Sequence, residues 1–217
     1  MKLSRDNLLN HIKKSSPALV YITGKTSTGK TTFSDKLHNK LGYTQIRLDQ
    51  IVLESVIKRY NIQDKGQAFV VVYRGGEPKE WIEFFITKVR NVLLNNLKNK
   101  SIVIEGAIAN PDILGKVFSD ELKDFMFVYL HPTNHQEYAD RIRERFIKGA
   151  HNDTSALPKD FWALVSKDEL EKYKATRKIT TSIEYSIQKY AKASIKKSEE
   201  RLKSFQKVYS KIIVVEI

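Results

Sequence analysis

Apolar residues recur along the chain with two spacings, and the alternation between them predicts the elements. Short, nearly unbroken apolar runs mark strands at Ala18-Leu19-Val20-Tyr21-Ile22, Thr44 to Leu48, Ser101 to Glu105, Asp124 to Leu130 and Lys211 to Glu216. Between them the spacing lengthens to three and four residues, as in helices buried on one side. Residues 4–13 predict a short helix with Ser4 as N-cap and Leu8, Leu9 and Ile12 on one face. Phe33, Leu37 and Leu41 predict a helix from about Thr31 to Lys40, stopped by Gly42. Further helices are expected over 50–60, from Pro78 to about Lys98, over 134–148, and along one stretch from roughly Lys167 to Ser210.

Strands that are apolar on both faces and alternate with helices imply an α/β fold, a parallel sheet covered by helices on each side. A chain of 217 residues suits one such domain. Ligands of these sheets bind beyond the carboxyl ends of the strands. The absence of cysteine excludes disulfides, thiolate metal sites and cysteine nucleophiles. No run of about 18 apolar residues is present, so no spanning helix and no membrane partner are expected. The first fifteen residues lack the apolar region of a signal peptide, which leaves the cytoplasm as the expected location.

The formal net charge of +13 favours anionic partners: nucleotides, phosphorylated substrates or nucleic acid. From Lys172 to Lys211 basic residues far outnumber Glu184, Glu199 and Glu200. That run reads first as a solvated helix face and second as an electrostatic footprint for RNA or DNA.

One segment carries specific chemistry. Gly24-Lys25-Thr26-Ser27-Thr28-Gly29-Lys30-Thr31 fits G-x-x-x-x-G-K-[ST], followed by Thr32, and lies between a predicted strand and a predicted helix. A tight turn there points backbone N–H groups at phosphate oxygens, and the following helix presents its positive end to the same anion. Lys30 places a cation on the outer phosphates, and the Thr31 hydroxyl ligates Mg²⁺. A nucleoside triphosphate, ATP or another, is the implied ligand. The dinucleotide alternative would use Asp49, about twenty positions past the loop, but G-x-G-x-x-G is absent and that motif has no use for Lys30 and Thr31.

With this motif the chain resembles the nucleoside and nucleoside-monophosphate kinase group of P-loop proteins, and is most similar to uridine kinase-like proteins and small-metabolite kinases. Weaker matches are Ile46-Arg47-Leu48-Asp49, Val103-Ile104-Glu105-Gly106 and Arg141-Ile142-x-x-Arg145. The resemblance implies a three-layer α/β/α domain with five parallel strands in the order 2-3-1-4-5. It also implies an acceptor-binding region at about 50–98 and a lid at about 147–166.

The resemblance assigns roles residue by residue. Asp49 contacts the acceptor hydroxyl and helps remove its proton; a simple N-cap is its bland alternative. Glu105 ends an apolar strand, at the position that orients Mg²⁺ or touches substrate, or it is a strand-end carboxylate facing solvent. Arg141 and Arg145 share a helix face and neutralise the transferring phosphoryl group, or Arg141 pairs with Glu137 on the surface. Arg74, in a Gly-Gly loop, is a candidate acceptor contact, with Arg47 and Lys25 behind it. His38, His131 and His135 do not form a metal set, and Trp81, Phe84 and Phe85 read as core. Ser27 stands where such kinases usually carry another glycine, and the chain stops at Ile217, where they continue into a loop that grips the base.

Together these residues predict an ATP-dependent, Mg²⁺-dependent kinase acting on a small hydroxyl-bearing acceptor. A nucleotide-dependent binding module is a second class, but the Asn-Lys-x-Asp base-reading motif of GTPases is absent and Asp112-Ile113-Leu114-Gly115 does not end a strand. A kinase of nucleic-acid ends is a third.

Overall fold

Six strands form one sheet: β1 (Lys2–Leu3), β2 (Leu19–Gly24), β3 (Thr44–Arg47), β4 (Ile102–Glu105), β5 (Met126–His131) and β6 (Ile212–Glu216). The structure, a computed structural model, describes residues 1–98, 100–151 and 157–217. β2 and β4 are buried at every position, which is why their sequences carry no polar alternation. β2 pairs in parallel with β4 and β5, β3 with β4, and β1 with β6. The register sets both Ile22 and Arg47 beside Glu105, so β3 and β4 finish level and β2 runs on to Gly24.

The order across the sheet is β1-β6-β5-β2-β4-β3. This corrects the expected five strands: the five anticipated runs are joined by a sixth, β1, on the edge beside β6. Two residues carry no readable apolar pattern. They pair because the chain's first residue reaches β6, where Val214 N donates to Met1 O at 2.8 Å and the terminal ammonium donates to Ile212 O at 3.2 Å.

The helices are α1 (Arg5–Ser15), α2 (Lys30–Leu41), α3 (Leu48–Ile51), α4 (Lys58–Tyr60), α5 (Lys65–Arg74), α6 (Lys79–Leu97), α7 (Pro111–Val117), α8 (His135–His151), α9 (Lys159–Trp162), α10 (Lys167–Thr176) and α11 (Thr181–Gln206). The Ser4 hydroxyl accepts from Asn7 N and caps α1, as its sequence predicts. Gly42, at φ 73°, ends α2. The expected helix over 50–60 begins earlier, at Leu48, and passes through a π-helical stretch, Val52–Ile57, before α4.

Two expectations need correction. The stretch 167–210 is two helices: Arg177 turns left-handed at φ 58° and stops α10, and Thr180 Oγ1 accepts from Ile183 N at the start of α11. α5 and α7 were not anticipated. Phe69-Val70-Val71-Val72-Tyr73 is rich in the β-branched and aromatic residues of strands, yet Asp64 caps it into a helix. α7 is too short to show a period, although Asn110 caps it and Pro111 opens it.

The chain divides into two compact units. The first comprises Met1–Gly24, Gly29–Leu130 and Arg201–Glu216, and holds a core with Tyr21, Phe85, Val89, Phe127 and Phe205. The second comprises Lys25–Thr28, His131–Glu200 and Ile217, with a core of its own around Tyr138, Phe146, Phe161, Tyr173 and Ile187. Burying one such ring stabilises by roughly 1.5–3 kcal/mol, which offsets part of the cost of ordering each unit. Of the lid expected at 147–166, residues 152–156 lie outside the described residues, while Leu157 and Phe161 are buried in the second core.

Candidate phosphate-binding site

β2 ends at Gly24 and α2 begins at Lys30, so the G-x-x-x-x-G-K-T segment joins strand to helix as its sequence predicts. The bend needs unusual backbone: Gly24 stands at φ 149°, Ser27 at φ 65° and Gly29 at φ 81°. Ser27 takes the left-handed conformation without being glycine, at a cost of about 1–2 kcal/mol. Within the second unit, Thr28 Oγ1 donates to Lys25 O at 2.8 Å and Tyr138 Oη donates to Thr26 O at 2.7 Å. With the Thr26 carbonyl turned to Tyr138, the trans peptide turns the Ser27 N–H the opposite way. The Ser27 hydroxyl is buried with no hydrogen-bond partner among the described residues. A buried hydroxyl without a partner among the described residues, in a bend from strand to helix, fits a phosphate ligand.

In the first unit, Thr31 Oγ1 donates to Glu105 Oε1 at 2.8 Å. Glu105 is 7% exposed, and Arg47 Nε lies 3.7 Å from the same oxygen. Burial raises its carboxyl above the usual range, while the Thr31 hydrogen bond and the charge of Lys30 pull the other way. Glycine at 106 makes the cluster sterically feasible. A Cβ there would stand 2.6 Å from Leu48 Cβ, so Leu48 presses the start of α3 against the end of β4. A hydroxyl and a carboxylate at this place are hard oxygen donors, and with waters and phosphate oxygens they match the habit of Mg²⁺. Glu105 therefore does not face solvent, as its bland reading would have it.

Asp49 sits in the first turn of α3. The N-cap position belongs to Arg47, so Asp49 does not serve as the cap. Its Oδ1 instead accepts from Tyr73 Oη at 2.7 Å. Burial raises the Tyr73 hydroxyl well above its ordinary value, with Asp49 adding to the effect, so it remains a proton donor to the carboxylate. Asp49 also acts electrostatically on Glu105, which places both acids in one cluster with Lys30, Thr31 and Arg47. Arg74 stands apart from it. Its side chain is exposed at the end of α5, and its carbonyl accepts from Asn110 Nδ2 at 3.2 Å. Thr32 is exposed on α2.

In the second unit, Arg141 pairs with Glu137 and Arg143 pairs with Asp140, both within α8. Arg143 also reaches Glu184 on α11, through Nη2 at 2.6 Å and Nε at 3.0 Å. Arg145 is exposed. Arg141 and Arg145 follow Tyr138 by three and seven positions, on the helix face that holds Thr26. Neither Tyr73 nor Tyr138 was singled out from sequence. Each acts through a single hydroxyl, and no spacing rule marks such a tyrosine.

No protein-family model matches this chain, and no curated protein matches it. Solved structures are similar to it at low identity. A gluconokinase from Sinorhizobium meliloti 1021 aligns at 12% identity over 93% of this chain and 83% of its own, with a TM-score of 0.48. A shikimate kinase from Bacteroides thetaiotaomicron aligns at 17% identity over 81% of this chain and 97% of its own, with a TM-score of 0.39. A deoxyadenosine kinase from M. mycoides with bound dATP aligns at 16% identity over 91% and 90%, with a TM-score of 0.37. None of the three reaches a TM-score of 0.5. In this chain itself, β2 of a parallel sheet ends at Gly24 and the motif leads from there into α2 at Lys30.

Proposed function

We propose that this protein is a phosphotransferase that moves the γ-phosphoryl group of a nucleoside triphosphate to a hydroxyl of a small acceptor. The observation that carries the reading is the Thr31–Glu105 hydrogen bond at the mouth of a strand–loop–helix phosphate motif. In the reaction the acceptor oxygen forms a bond to the γ-phosphorus as the bond to the β–γ bridging oxygen breaks, and the nucleoside diphosphate leaves. Catalysis of this kind is positioning and charge stabilisation.

Loop amides 24–29 hold phosphate oxygens, and Lys30 meets the charge that develops on the outer ones. Arg141 and Arg145 are the guanidinium groups proposed for the transferring group. Thr31 and Glu105 would hold Mg²⁺, which when bound supplies charge neutralisation between phosphate oxygens. Asp49 accepts the acceptor's hydroxyl proton. With Oδ1 accepting from Tyr73, its Oδ2 is the oxygen assigned that task. Arg74 and the aromatic group Tyr60, Trp81 and Phe84 belong to the 50–98 region proposed to bind the acceptor.

The test is a transfer screen with ATP and GTP against nucleosides, nucleotides, sugars, cofactor precursors and RNA ends. Asp49→Asn in an active pairing is expected to lower kcat by about 10²–10⁴. Full turnover by that variant removes Asp49 from the mechanism, and failure of every pairing removes the kinase reading. One observation favours a second acceptor class. Lys189, Lys192 and Lys196 are exposed at helical spacing along α11, a charge pattern suited to a nucleic-acid backbone. Transfer to RNA ends but to no free small molecule would select it.

A further inference from the structure

The sixth strand has a consequence for the phosphate site. β1 ends at Leu3, Ser4 caps the next helix, and Arg5 is the first residue of α1. The turn is anchored on both sides: β1 is paired to β6 through Val214 and Val215, and Leu8 and Ile12 of α1 are fully buried. Arg5 is thereby aimed at Gly29. Its Nη2 lies 3.1 Å, its Cζ 3.7 Å and its Nη1 3.8 Å from the point a Cβ on Gly29 would occupy. Three guanidinium atoms at such similar distances mean that the head of the side chain lies against the Gly29 backbone.

Gly29 is the N-cap of α2 and directly precedes Lys30. A guanidinium and the positive end of a 12-residue helix therefore meet at one residue of the loop, next in sequence to Lys30. A polyphosphate bound at this helix start would be attracted by both. Guanidinium also offers paired N–H donors that match phosphate oxygens.

We infer that Arg5, delivered by the edge strand, is a further phosphate-binding residue of this site. The inference rests on the nucleotide reading above. It adds a ligand from outside the loop motif, on a segment that sequence reading treated as an ordinary amphipathic helix. As a group at the loop and not at the acceptor cluster of Asp49, Arg5 is assigned to holding the nucleotide's existing charge. It accordingly governs nucleotide affinity and leaves turnover at saturation little changed.

Tripolyphosphate, with no base and no sugar, is the probe. Calorimetry on the full chain compares wild type, Arg5→Gln, Arg5→Lys and Lys30→Ala. Arg5→Gln is expected to weaken tripolyphosphate binding by about tenfold or more, the ordinary worth of a hydrogen bond to a charged group. Arg5→Lys should recover part of the loss. In an active acceptor pairing, Arg5→Gln should raise the nucleotide KM and hold kcat within about twofold, which a merely structural arginine would not do. Unchanged affinity in Arg5→Gln, with Lys30→Ala impaired, overturns the inference about Arg5 alone. Failure of wild type to bind tripolyphosphate, or equal binding by Lys30→Ala, overturns the nucleotide reading and this inference with it. Should Arg5→Gln fail to fold, phenylglyoxal labelling of wild type decides. Protection of Arg5 by tripolyphosphate supports the inference, and an unaltered labelling rate overturns it.

Discussion

The phosphate loop and helix α8 both carry residues assigned to a polyphosphate, yet they are held in opposite electrostatic states. Along α8 two arginines are already paired within the protein. Arg141 has Glu137, and Arg143 has Asp140 and Glu184. The Glu184 carboxyl is held below its ordinary range by Arg143, and the guanidinium of Arg143 is stabilised in return. Around the loop the terms run the other way. Ser27 holds a backbone conformation unfavourable for its type, its hydroxyl is buried without a partner among the described residues, and Glu105 is buried with its carboxyl raised. Such local cost, found in each unit at the residues assigned to the phosphate and in a fold otherwise consistent with its sequence, is what a functional role for those residues predicts.

Two substitutions set that contrast against activity. Lys30→Ala should have the largest effect, a fall in phosphoryl transfer of about 10²–10³ or more, since charge stabilisation in a water-poor site is worth that much. Its circular dichroism and thermal midpoint should match wild type. Turnover near the wild-type rate would sink the assignment of the loop. Arg141→Ala should cost less, about tenfold, because in the free protein this guanidinium is committed to Glu137 and must exchange one anion for another. Single-turnover rates at saturating nucleotide separate the two. A loss from Arg141→Ala as deep as that from Lys30→Ala would erase the distinction between the two regions.

The same contrast explains what could be read in the sequence. The loop was legible in full because its chemistry is a backbone requirement: glycines at fixed spacing, a lysine, a hydroxyl, and a strand and helix on either side. The five long strands were legible because two buried faces leave an unbroken apolar run. β1 was not, since two residues have no period and their pairing is decided by distant β6. The long basic stretch hid the break at Arg177, where a non-glycine residue in a left-handed conformation gives no signal. For Glu105 the strand-end position was evident, but its 7% exposure depends on Leu48 closing over Gly106, a tertiary fact. Tyr73 and Tyr138 depend likewise on which carboxylate and which carbonyl the fold brings to a hydroxyl.

The smallest expected effects are the sharpest, because the two regions should respond to pH with opposite sign. Glu105 has a folded-state pKa raised above the ordinary 4.5, so between those values the folded protein binds its proton more tightly than the unfolded chain does. Stability is then lost as pH rises through the window. Glu105→Gln removes that loss and keeps an oxygen for the Thr31 hydroxyl. Its thermal midpoint should exceed wild type near neutral pH, and the two should converge as pH falls below 4.5. Glu184 behaves conversely. Its pKa is lowered from 4.5, so its contribution is present above that value and disappears as pH falls through the folded-state pKa. Glu184→Gln should melt below wild type near neutral pH and rejoin it in acid. With the Glu184 side chain 35% exposed, the difference should be no more than about 1 kcal/mol. Thermal unfolding of both variants without nucleotide, across the acid-to-neutral range, reads the signs directly. Displacement of both midpoints in the same direction would show that the loop carboxylate is as well satisfied as those of α8, and the idea of a site strained for its ligand would fall.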